Sequence, residues 1–386
     1  MKLSEGINAA MEAEELSENR TEEDLEELRR ELNKELPGEP IEEPAEEPIE
    51  EPIKEPLCIP AADGLKFWLM PFVCILCFGF PTRFGGNIAA LSGFAPLCFF
   101  ILCGFFALTE DEREQKKLKK RIIRAAITFL ITLVLYGGVN IGYYLLTGTN
   151  AKALFAALFS RRSLFNFLVL CAWPFPMGQS IWFIQSLLYA YLILYVMNLL
   201  KLQRFRGILL IVCVILMLLT GELAVVCRLS FFGAPYLPPN ALTRALPYLL
   251  LGWLLRKNMD ALRERKAWHY LLMVPLGLIL AFGEFVLLAR MGCLATTSHA
   301  IGLGLTAFGL CAWTLFFGPA EPGFFCLAGR SFARIIYVSC QLVAFLLIVP
   351  MSMVSPVIAG FVQYLGGLIV YPICFVLALV MDMAQE

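Results

Sequence analysis

The chain has 386 residues, of which 59% are apolar and 16% charged. This excludes an ordinary soluble domain, in which about a quarter of residues are charged. Its net charge of −1 hides a segregation: residues 1–56 hold 20 of the 32 acidic and 6 of the 31 basic residues, so the rest is strongly basic. A charged tail is joined to a long apolar body with basic punctuation.

In the tail, Thr21 and Asp24 are placed like a capping box, and Leu25, Leu28, Leu32 and Leu36 follow at helical spacing. A short amphipathic helix or a partly helical disordered tail both satisfy this pattern. From Pro40 to Pro56 a proline recurs every fourth residue, with Glu pairs between most of them. Proline removes donors and like charges repel, so an extended, solvated spacer is expected. No basic segment followed by an apolar run opens the chain, and no cleavable signal peptide is expected. The domain reading is an acidic, Pro/Glu-rich tail over 1–60 and a transmembrane domain over 61–386.

A hydrocarbon core needs roughly 20 apolar residues in a helix. The body supplies about ten such stretches, at 65–80, 89–108, 125–146, 181–200, 207–226, 242–255, 267–289, 299–318, 335–350 and 357–380. The fold class is therefore all-α, a polytopic membrane helix bundle. Residues 147–180, with Arg161, Arg162, Pro174 and Pro176, read as an interfacial or re-entrant segment. With the tail in the cytoplasm, 18 Lys/Arg of the body fall on the inner side and 7 on the outer. Seven of the inner ones lie in a loop at 109–124. This asymmetry predicts a multi-pass plasma-membrane protein with both termini cytoplasmic. The thirteen cysteines lie almost all in apolar spans, where a thiol behaves as a small hydrophobe, and no Cys/His cluster has metal spacing. No metal and no permanently bound cofactor is expected.

Five segments in order, and four residues late in the chain, carry a resemblance. Asp63-Gly64-Leu65-Lys66 opens an apolar run to Cys77, and Phe99-Phe100-Ile101-Leu102-Cys103-Gly104-Phe105 follows. A basic stretch ends in Arg121-Ile122-Ile123-Arg124. Ile181-Trp182-Phe183-Ile184 and Pro247 to Gly252 come next, with Gly329, Ser331, Tyr337 and Cys340 late in the chain. The pattern resembles the acyltransferase-3 superfamily, whose members O-acylate sugars and cell-wall polymers. The resemblance implies transfer of an acyl group, usually acetyl, from cytoplasmic acyl-CoA to a hydroxyl of an extracytoplasmic glycan. It makes the lipid bilayer, acyl-CoA and a glycan acceptor the partners, with no nucleic acid, and leaves the acidic tail free for a protein partner. It implies that Arg121 and Arg124 contact the donor's phosphates, against the bland reading of topological charge. It also implies that the bundle encloses the first helix.

The departures bear on chemistry. Lys66 stands where the family has Arg, and Cys77 and Cys340 stand where it has His. Eleven residues separate Lys66 from Cys77, so both project from one helix face about 16 Å apart. A His takes a hydroxyl proton near neutral pH, whereas a buried thiol is a poor general base. Three readings stay open: a family member that has lost transfer and serves as a transporter or scaffold, a thioester on Cys77, or a base supplied by another group, with His299 the candidate. Whether the chain is an enzyme is thus undecided by sequence. Glu284, inside an apolar span, reads either as a partner of Arg290 or, with Glu222, Arg228 and His299, as the lining of an acceptor vestibule.

Overall fold

The structure is a computed structural model. It describes residues 59–78, 88–110, 113–146, 159–172, 180–221, 240–290, 301–319 and 323–383, with single residues in some of the intervals. Among the described residues there is no strand. The helices are α1 Pro60–Phe78, α2 Phe94–Ala107, α3 Glu114–Leu146, α4 Arg161–Leu170, α5 Ile181–Leu199 and α6 Arg206–Thr220. They continue as α7 Leu246–Lys257, α8 Met259–Arg263, α9 Ala267–Arg290, α10 Ile301–Phe317, α11 Phe324–Val354 and α12 Pro356–Met383.

Within the described residues, each expected apolar stretch falls on a helix. By length and composition, seven among the described residues can cross a membrane, while Ile301–Phe317 and Leu368–Asp382 are shorter apolar helices. Stripes such as Ile127, Leu130, Ile131 and Val134 on α3, and Ile208, Ile211 and Ile215 on α6, are exposed. Exposed apolar faces of this size belong against lipid, and helices satisfy their own backbone there.

The bounds differ most at α3. The expected loop over 109–124 becomes helix from Glu114 onward. Gln, Lys and Arg are good helix formers, and the Glu110 amide donates to Glu114 Oε2 at 2.7 Å, tying off the start. The basic residues thus project from a rigid rod. Helix α11 is also longer than expected, because the stretch from Phe324 to Arg334, interrupted only by Arg330, Ser331 and Arg334 as polar residues, continues the apolar helix. A π-helical turn over Ala241–Ala245, where Asn240 Oδ1 accepts from the Leu242 and Thr243 amides, delays α7 to Leu246.

Helix α2 is the enclosed element, with eleven of its fourteen residues buried. The expectation that α1 is the enclosed helix is corrected: α1 packs on α11, α12, α2 and α10 but turns Trp68 and Phe72 outward. Glycines set the closest crossings. A Cβ on Gly104 would lie 1.9 Å from the Leu249 carbonyl oxygen, and one on Gly252 would lie 2.0 Å from that of Ile101. The α2 and α7 backbones therefore touch. Gly329 brings α11 equally close to α1, its Cβ position being 1.9 Å from the Asp63 carbonyl oxygen. Small residues permit such approach where lipid gives helices no hydrophobic reason to associate.

One buried polar clasp fixes the start of α3. Arg206 and Glu114, 0% and 1% exposed, form an ion pair, and Asn198 bridges them, donating to Glu114 Oε1 at 2.7 Å and accepting from Arg206 Nη2 at 2.6 Å. Trp253 Nε1 donates to Glu110 at 2.8 Å, joining α7 to the same corner.

Two expectations follow. Gly252→Ala should destabilise the protein by at least about 1–3 kcal/mol through overpacking. Gly283→Ala, where a Cβ meets open space, should stabilise it by up to about 1 kcal/mol through helix propensity. Thermal unfolding in detergent compares the two. Glu114→Gln should cost about 3–5 kcal/mol because it strands a buried guanidinium, and the apolar pair Glu114→Leu with Arg206→Met should recover most of that loss.

Candidate functional site

The basic residues of three helices converge on one cavity of about 560 Å³. Lys66 comes from α1, Lys117, Lys120, Arg121 and Arg124 from α3, and Arg330 and Arg334 from α11. No carboxylate lines its wall. Its inner part is apolar, formed by Met70, Phe99, Phe183, Ile184 and Leu187, with Tyr337 at the end.

Several of these cations are held in place by neighbours. The Lys66 ammonium rests 2.5 Å from Asp63 Oδ1, one turn earlier on α1. Arg121 Nη1 donates to Tyr191 Oη at 3.4 Å, and Arg334 Nη2 donates to Thr128 Oγ1 at 2.6 Å. Arg121 is half-buried and Arg124 exposed. Three cations of the wall are thus held in place, and among the described residues no carboxylate joins them in the lining.

Cys77 lies beyond this cavity and does not line it. The structure brings it to Cys340, across 263 residues of sequence, with the two sulfurs 4.0 Å apart. Cys74 and Cys374 lie in the same apolar cluster with Phe332, Ile336 and Val370. Tyr337 stands between cavity and thiols: its ring packs 5.3 Å from that of Phe183 and its hydroxyl donates to the Ser180 carbonyl. Tyr136 pins α3 to α11 at this depth, donating to the Val338 carbonyl at 2.7 Å and accepting from the Leu342 amide at 3.2 Å. Outside the spans, burial pushes the Cys171 thiol above its ordinary pKa.

Of the residues singled out from sequence, Lys66, Arg121 and Arg124 share one cavity wall, and Cys77 sits past its inner end. His299 lies outside the described residues, as do Glu222 and Arg228. His269 is exposed, stacked on Trp268 at 4.0 Å, and is not part of the cavity wall. Glu284 Oε2 accepts from the Gly302 amide at 3.3 Å. It thus serves the first turn of α10, where a carboxylate meets the positive end of the helix dipole. Sequence reading counted Arg330 and Arg334 only as topological charge. It missed Ser180 and Gln341, although a glutamine one turn after Tyr337 in an apolar run was a usable signal.

The family model described as an acyltransferase domain, that of the acyltransferase-3 family, matches residues 59–381. The chain belongs to that family. No curated protein and no solved structure matches it.

Cys103 is half-buried in the cavity wall, whereas Cys74, Cys340 and Cys374 are buried. A small water-soluble thiosulfonate reagent should therefore modify Cys103 in intact membranes and leave those three untouched, as read by peptide mass spectrometry. Modification in the reverse order would show that this wall is closed to water.

Proposed function

We propose that this member of the acyltransferase-3 family takes an acyl group, acetyl above all, from cytoplasmic acyl-CoA and delivers it to a hydroxyl of an extracytoplasmic glycan or cell-surface polymer. The observation that carries the proposal is the cavity with seven cations and no carboxylate in its wall. CoA bears a diphosphate and a further phosphate, and guanidinium forks suit phosphate oxygens. The surplus of Lys and Arg at this end of the helices supports a cytoplasmic location for it, with both termini on that side and the plasma membrane as the location.

Arg121 and Arg124 contact the donor's phosphates in this reading, and Arg330 and Arg334 face them from α11. The pantetheine arm runs along Phe99, Phe183, Ile184 and Leu187, which offer it apolar surface and exclude water. The thioester then comes to the Tyr337 end. Holding it there supplies proximity, the contribution that needs fixed walls rather than a particular reactive group. The acceptor approaches from the opposite face of the membrane.

The resemblance, which puts Cys77 and Cys340 where the family has histidines, supports a second reading, in which the donor site persists without transfer and the protein acts as a transporter or scaffold. The two readings agree on donor binding and differ on turnover.

CoA should raise the unfolding temperature of the purified protein, and added salt should weaken the effect by screening. Arg121→Ala and Arg124→Ala should each reduce CoA affinity about tenfold or more, the loss of a charge-assisted hydrogen bond of about 1.5–3 kcal/mol. Arg121→Lys should restore only part of it, because an ammonium lacks the planar fork. An unchanged unfolding temperature with CoA would remove the donor reading.

A further inference from the structure

Past Tyr337 lies a group of residues that donor binding does not use. Cys77 on α1 and Cys340 on α11 meet with their sulfurs 4.0 Å apart. The same two helices touch backbone to backbone further along, where Gly329 meets Asp63. Of the four clustered thiols, Cys74, Cys340 and Cys374 are buried, and Cys77 is the half-open one. It is the least buried thiol of the four.

Ser180, at the start of α5, adjoins this pair through its neighbours. Its amide donates to Gln341 Oε1 at 3.5 Å, and its carbonyl accepts from the Tyr337 hydroxyl. Tyr337 in turn lies one turn before Cys340, whose thiol donates to the Tyr337 carbonyl at 3.4 Å. The Ser180 side chain has no such role: it is 6% exposed and its Oγ has no hydrogen-bond partner among the described residues. An unpartnered buried hydroxyl is costly, because it has given up water without gaining a partner. Its place at the N-terminus of a 19-residue helix adds the positive end of the helix dipole. Orphan hydroxyl, dipole and half-open thiol together suit a ligand with an electrophilic carbon and a partly negative oxygen, which describes a thioester carbonyl.

We infer that Cys77 carries the acyl group as a thioester between donor and acceptor, with the Ser180 hydroxyl donating to the carbonyl oxygen. The inference rests on the acyl-CoA reading above. In the first half-reaction the Cys77 sulfur attacks the donor's carbonyl carbon and the bond from that carbon to the CoA sulfur breaks. The proton leaving Cys77 ends on the CoA sulfur, and Cys340 is placed to relay it. One thioester replaces another, so the step needs no oxidant and no further energy source. In the second half-reaction the acceptor hydroxyl attacks the carbonyl, the bond to Cys77 breaks, and the hydroxyl proton returns to the Cys77 sulfur. The products are an ester, free CoA and the original thiol. A displacement of Tyr337 joins the cavity to Cys77 and permits the first step.

The test uses the full chain in detergent with acetyl-CoA, acid quenching and peptide mapping by mass spectrometry. The CoA-induced shift in unfolding temperature is measured in parallel. Wild type and Cys374→Ser should carry one acetyl group on Cys77, released by neutral hydroxylamine. Cys77→Ser should carry no hydroxylamine-labile acetyl. Ser180→Ala should acquire it roughly a hundredfold more slowly, the scale for removing one carbonyl-oxygen donor, while the CoA shift persists. If Cys77→Ser fails to fold, the mapped position in wild type decides. A CoA shift in wild type without labile acetyl on Cys77 would overturn the thioester alone. No CoA shift at all would overturn the donor reading and this inference together.

Discussion

Seven cationic side chains around one cavity repel one another, and the rest of the basic end is organised by that constraint. Two unit charges 4 Å apart in water interact by about 1 kcal/mol, and by more where protein replaces water. The repulsion is contained by anchoring the helices rather than by placing acids in the wall. Glu114, the nearest strong acid on α3, is turned away into the buried clasp with Arg206 and Asn198. Asp63 holds Lys66 from outside the lining. Tyr191 and Thr128 fix two guanidiniums through neutral oxygens. Two guanidiniums are thus positioned by neutral oxygens, which suits an anion-binding site.

The same end depends on backbone contact. α3 begins where Glu110 and Glu114 tie it to α7 and α6, and α11 is set against α1 at Gly329. Arg330 and Arg334 lie just beyond that glycine in sequence. A side chain at 329 would push α11 off α1 and carry both arginines away from the cavity. The glycine thus acts on charge through geometry, as Gly104 and Gly252 act on the placement of α2 and Cys103.

How much of this was legible in the sequence varies with the range of the interaction. The apolar runs gave the helices, because hydropathy is local. The basic run before 125 read as a loop because charge at a membrane surface obscures the helix propensity of Lys, Arg and Gln, and the amide bond from Glu110 is not visible in composition. Arg121 and Arg124 were readable from their spacing. Cys77 and Cys340 were each noticed at their positions, but a contact across 263 residues leaves no periodic trace. Ser180 was unreadable for a related reason: its orphan hydroxyl is defined by what Tyr337 and Gln341 do to its backbone. Glu284 read as an intramembrane acid awaiting a cation, and found a helix terminus instead.

Topology alone does not account for the cavity. The positive-inside rule asks how many Lys and Arg lie on one side of the membrane, and is indifferent to where they stand around the bundle. Eighteen such residues are assigned to that side by sequence, and an arrangement serving topology only would spread them around the rim. Seven instead face a single space whose inner wall is apolar and is lined by Tyr337, one turn before Cys340. A histidine at that depth would work by taking a proton from the acceptor. Cysteine is a weak base whose thiolate is a strong nucleophile, so the proposed thioester keeps the cationic half of the machinery and asks of the centre covalent carriage rather than proton abstraction.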